Sequence, residues 1–187
     1  MDYQLALIPG RSCGDCTICC TVMAIDRPDI QKEAGVTCRH CTKEGCAIYA
    51  TRPSLCRDYH CGWRQLAILD EGWRPDRSGV FVELELHEGQ TAISLVLVGN
   101  PLKTVRQSWF IDFVATGVKG NLPLMLGIPG PPGHQGASLM LNTNAMLRAA
   151  ATSRAAVKAE LESELKLLRD YGFPPRVIRH IGHNMGP

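Results

Sequence analysis

All nine cysteines of this 187-residue chain lie between Cys13 and Cys61, and any fold must bring that stretch to terms with them. They stand as Cys13, Cys16, Cys19 and Cys20, then Cys38, Cys41 and Cys46, then Cys56 and Cys61. The first group reads C-x2-C-x2-C-C, the second C-x2-C-x4-C, and the last pair C-x4-C. A two-residue gap lets a tight turn aim two sulfurs at one point, which is how metal knuckles are built. A loop-rich segment of about 50 residues buries too little apolar surface to stabilise itself. Metal–thiolate bonds supply what is missing, with apparent zinc binding free energies of about 10–16 kcal/mol.

The count allows several arrangements. Eight thiolates make two tetrahedral zinc sites, and nine make a trinuclear cluster with bridging sulfurs. C-x2-C-x2-C also suits a four-iron cluster with a remote cysteine as its fourth ligand. Cys19 and Cys20 are adjacent, and neighbouring side chains diverge, so the pair serves two metals or bridges them. All nine cysteines are therefore candidate ligands of a polynuclear zinc or iron centre. His40 and His60 stand beside cysteines and are candidate further ligands or supports. Arg52 and Arg57 are candidates to hydrogen-bond the sulfurs and offset their charge, whereas Arg39 reads as solvated.

Composition narrows the setting. A formal charge of +2 without a dense basic run argues against nucleic acid. The N-terminal stretch lacks a basic region and its apolar run is short, so no signal peptide is expected. The longest apolar run, Ile93 to Val98, falls well short of a membrane span. A cytoplasmic protein without membrane or nucleic-acid partners is expected, and a reducing compartment favours metal ligands over disulfides. The odd cysteine count points the same way.

The rest of the chain predicts an α+β fold: a loop-rich, metal-stabilised cysteine module over residues 1–61, then an antiparallel sheet with two main helices over 62–187. Within the module, Val22, Ala24 and Ile25 suggest a short strand, Arg27-Pro28-Asp29 a helix start, and 29–35 a helix closed by Gly35. A helix should begin just after Pro53, and Trp63 is a candidate lid. Residues 65–71 suggest one short helix and 72–79 a loop. The alternation of Val82, Leu84 and Leu86 with Glu83 and Glu85 predicts a half-buried strand, with both glutamates on a solvated face. A turn at 87–90 leads to a second strand over 91–98. Asn100-Pro101 opens a helix on which Leu102, Val105, Trp109 and Phe113 recur, placing Trp109 in the core. Residues 122–128 and 137–143 are strand candidates joined by the Gly/Pro-rich loop 127–136, which lacks the residues of a phosphate-binding loop. Thr152 or Ser153 caps a last helix with Val157, Leu161, Leu165 and Leu168 inward, ended by Gly172. His180 and His183 read as tail residues.

CGDCTICC, the later spaced cysteines and CAIYATRPSLCRDYHC together resemble the bacterial YkgJ-type cysteine-cluster family, over residues 13–61. That family's first motif often carries Gly where Thr17-Ile18 stand here. The resemblance implies a zinc- or iron-chelating domain. The flagellin lysine N-methylases are similar to the same family and are regarded as iron–sulfur proteins. The resemblance thus implies a metal-binding protein; residues 62–187 lie outside it, carry no assignable motif, and are expected to form a platform for a protein partner. Its alternative implication is an iron–sulfur metalloenzyme or redox protein linked to protein lysine methylation.

Overall fold

The computed structural model describes residues 6–87 and 89–176. The cysteine region is built of short pieces. Helix α1 (Ile18–Val22) carries Cys19 and Cys20 and is followed by an antiparallel hairpin, β1 (Ile25–Arg27) and β2 (Ile30–Lys32). The hairpin replaces the helix expected over 29–35. Ile30 and Lys32 turn inward while Gln31 stays out, a period of two that a helix cannot satisfy. Val22 belongs to α1 and not to a strand. A second small hairpin, β3 (Cys41–Thr42) and β4 (Gly45–Cys46), sets Cys41 opposite Cys46. After a 3-10 turn over Tyr49–Thr51, helix α2 (Ser54–Asp58) starts just past Pro53, as expected, and presents Cys56.

Residues 62–79 join this region to the sheet. Helix α3 (Gly62–Gln65) starts earlier than the expected 65–71, because Cys61 already occupies its N-cap. The expected loop holds a 3-10 turn (Glu71–Trp73) and helix α4 (Pro75–Ser78), with Pro75 at the first helical position and Gly79 closing it at φ +71°. Trp63 is no lid: it is 3 % exposed, sits in the main core and donates its indole N–H to the Asp70 carbonyl at 3.0 Å. Arg11 clamps the lead-in segment to this junction, donating to the Trp63, Leu66 and Leu69 carbonyls and standing over the Trp63 ring.

The sheet has strands β5 (Val80–His87), β6 (Gln90–Leu97), β7 (Leu124–Ile128) and β8 (Ala137–Met140), in that spatial order. Its outer pairings are antiparallel, as expected, while β6 and β7 run parallel. That parallel pair requires a crossover, provided by α5 (Pro101–Thr104) and α6 (Ser108–Lys119). Asn100 caps α5 through Lys103 N–H, as its sequence suggests, but the chain breaks at Val105–Gln107 into two helices. The break leaves Trp109 38 % exposed, stacked edge-on against Trp73 at 4.8 Å, and not enclosed in the core. Thr143 caps α7 (Asn144–Thr152), a helix the apolar pattern did not reveal. Ser153 caps α8 (Arg154–Asp170), which buries Val157, Leu161, Leu165 and Leu168 as expected and ends at Tyr171. His180 and His183 lie outside the described residues.

Alternation along the strands divides the sheet into two faces. Val80, Val82, Ile93, Leu95, Leu97, Leu124 and Leu126 join the helix side chains in one apolar core. Phe81, Glu83, Glu85, Ser94 and Ser138 project from the opposite face. The cysteine region covers part of that second face: Phe81 stands 6.2 Å from the Tyr59 ring, and Gly133 N–H donates to the Ala34 carbonyl at 2.9 Å. The glutamates are therefore half-buried and not on a solvated face; both line a cavity bordered by residues 22–24, 34–35 and 128–130.

Candidate metal centre

Backbone turns gather the thiols. Cys16 N–H donates to the Cys13 carbonyl and Cys41 N–H to the Cys38 carbonyl, each at 2.9 Å. These close two of the three C-x2-C spacings as tight turns. Cys38 N–H reaches the Cys20 carbonyl at 2.9 Å, tying the second group of cysteines to the first. Gly14 (φ +54°) and Gly45 (φ +122°) take up left-handed backbone, and a side chain at Gly45 would stand 3.4 Å from the Gly14 carbonyl. The first turn and the small hairpin thus meet through two glycines.

These turns surround a cavity of about 120 Å³. Cys13, Cys16, Cys19, Cys20, Cys38, Cys46, Cys56 and Cys61 all line it, and His40 and His60 do so as well. Cys41 is absent from the wall, although it lies opposite Cys46 in the hairpin and against Cys20. All nine cysteines are half-buried free thiols. Such a volume is several times the ~10–15 Å³ that one water needs. Among the described residues, no three His, Cys, Asp or Glu side chains converge into a ready-made metal-binding group. The thiols are gathered but not convergent.

The electrostatics favour negative charge in part of this wall. Cys19 donates to Cys20, which pulls the Cys20 thiol down to about 6, helped by Cys41 and by the Lys32 ammonium. The same contact pushes Cys19 up, with burial adding to the rise. Burial also raises Cys16, Cys41 and Cys56, and lifts Cys61 to about 11. Lys32 is 6 % exposed and donates to the carbonyls of Thr21, Glu33 and Val36 at 2.8–3.1 Å. Burial lowers its pKa, while Cys38, Cys20 and Cys19 act in the opposite direction.

Arg64 approaches Cys13 Sγ at 3.9 Å and His60 Nδ1 at 3.5 Å. Burial, with Arg64 and Arg52 nearby, lowers the His60 pKa and favours a neutral imidazole, the form that can bind metal. His40 accepts a hydrogen bond at its Nε2 from Arg39, which is itself exposed, as expected. Arg52 stacks over Tyr49, 4.0 Å from the ring centroid. The Nε atoms of Arg52 and Arg64 are buried without an acceptor. Buried guanidinium N–H groups beside soft thiols fit a group whose sulfur ligands carry negative charge. The donor set is that of zinc or an iron–sulfur cluster and not of magnesium or calcium.

Several residues here carry no sequence motif. Lys32 and Arg64 are among the charged groups near the sulfurs, and neither belongs to a cysteine spacing pattern. Tyr59 lines the cysteine cavity and donates its hydroxyl to Glu83 Oε1 at 3.2 Å. Burial and the Glu85 charge raise the Glu83 carboxyl to about 7, against a smaller opposing effect of Tyr59. The sole advance sign of that pairing was the strand alternation around Glu83.

No family model, curated protein or solved structure matches this chain. Among the described residues, no helix is long and apolar enough to cross a membrane.

Proposed function

We propose that this is a metal-binding protein whose cysteine cluster chelates zinc or iron. One observation carries the reading: eight of the nine cysteines, from three separate sequence groups, line a single cavity. The unsatisfied Arg52 and Arg64 Nε atoms support it. Cys13, Cys16, Cys19, Cys20, Cys38, Cys46, Cys56 and Cys61 would hold the metal, with Cys41 joining through its contact with Cys20. A bound metal would cross-link the short elements and supply a stability that their small apolar core lacks. The resemblance to the YkgJ-type family agrees with this proposal.

A second reading, an iron–sulfur enzyme or redox protein, draws support from the Tyr59–Glu83 hydrogen bond. It links the cysteine cavity to a polar pocket next to it, the arrangement that chemistry beside a cluster would use. Anaerobic purification with absorbance and acid-labile sulfide analysis separates the two metals. A brown protein containing iron and sulfide contradicts zinc, and a colourless one containing zinc contradicts the cluster.

A further inference from the structure

On the sheet face that carries Glu83 and Glu85 lies a cavity of about 310 Å³, bordered by residues 22–24 and 34–35 and distinct from the one the thiols line. Glu83 and Glu85 stand on β5, and Ser94 is the β6 residue paired with Glu83. Ser94 is fully buried, and its hydroxyl has no hydrogen-bond partner. A buried hydroxyl left unpaired costs about 1–3 kcal/mol, so a donor in the adjoining cavity would stabilise it. Among the described residues neither glutamate is ion-paired, and Arg176 stands exposed at the mouth. Gly127, on the neighbouring strand, adds no side chain to the floor between Val96 and Ser138.

We infer that this cavity binds a small organic ammonium ion, held by the Glu83 and Glu85 carboxylates and the Ser94 hydroxyl. An –NH3⁺ group carries three donors, matching two carboxylates and one hydroxyl oxygen. The volume lies at the low end of the usual range for ligand pockets, about 300–1,000 Å³, which selects a small molecule. Burial first and the Glu85 charge second raise the Glu83 carboxyl to about 7, and a bound cation would favour its ionised form. The inference is independent of which metal the cysteines hold.

Isothermal titration calorimetry of the full chain with 1,4-diaminobutane tests it, with succinate and magnesium as comparison probes. Saturable binding of the diamine alone is expected. Glu83→Gln and Glu85→Gln should each weaken it about tenfold or more, as loss of a charged hydrogen bond does. Ser94→Ala removes a hydroxyl without a protein partner, so the fold should survive while affinity falls several-fold. The inference is overturned if the diamine gives no saturable heat, if succinate or magnesium binds in its place, or if Ser94→Ala binds it as tightly as the wild type.

Discussion

Lys32 is a buried cation and Glu83 a half-buried carboxyl, and each has a measurable consequence. The Lys32 ammonium satisfies the Thr21 and Val36 carbonyls and shares the Glu33 carbonyl with the Val36 N–H. Lys32→Met keeps the length but strands those acceptors and removes a cation from the thiols. A loss of about 2–4 kcal/mol in urea unfolding is expected, together with lower metal content after purification. For Glu83, the ordinary carboxyl value of 4.5 applies in the unfolded chain and about 7 in the fold. Between those pH values the folded chain keeps a proton that the unfolded chain has released, so stability falls as pH rises through the window. Glu83→Gln removes this loss. Its stability relative to wild type should grow from pH 4.5 to 7 by on the order of 2–3 kcal/mol, read from thermal melts across that range. The cysteines were legible as a group from spacing alone. Lys32 was not, because its partners are backbone carbonyls that reach it only after the hairpin closes.

At the scale of elements, the cysteine region is fastened to the sheet through close backbone approach. A methyl group on Gly62 would meet Val82 Cγ1 at 2.5 Å, and Val82 is fully buried. Gly62→Ala should therefore destabilise the chain by about 1–3 kcal/mol, measured by urea denaturation. Ser153→Ala, which removes the N-cap of α8, should cost about 1 kcal/mol by the same measurement. Element legibility followed the strength of local signals. Asn100-Pro101, Ser153 and the stripe from Val157 to Leu168 marked helix starts and faces that folding preserved. The Arg27-Pro28-Asp29 segment carries turn residues compatible with a helix or a hairpin, and burial of Ile25, Ile30 and Lys32 on one side decided for the hairpin. The spacing of Leu102, Val105, Trp109 and Phe113 ran across a helix break, because a periodic pattern can continue where the backbone does not. The parallel pairing of β6 with β7 depends on contacts distant in sequence and left no local mark.

Across the whole molecule, an apolar core on one sheet face supports a polar, cysteine-rich assembly on the other. Helices α6 and α8 pack against the sheet and α7 packs against both helices, around fully buried Phe110, Leu126, Met146 and Leu161. The cysteine region has little comparable packing; Ile25, Ile30 and Phe81 are its main buried apolar contacts. Chelation should therefore unfold one part and spare the other. Limited proteolysis after chelator treatment is expected to cut within residues 13–61 while leaving the sheet and α8 protected. The most direct test is the metal-to-protein ratio of the full chain purified without oxygen. At least two equivalents of zinc, or about four of iron with sulfide, are predicted, falling when Cys20 or Cys56 is changed to serine. Substoichiometric metal in the wild-type protein, unchanged by those substitutions, would contradict the account.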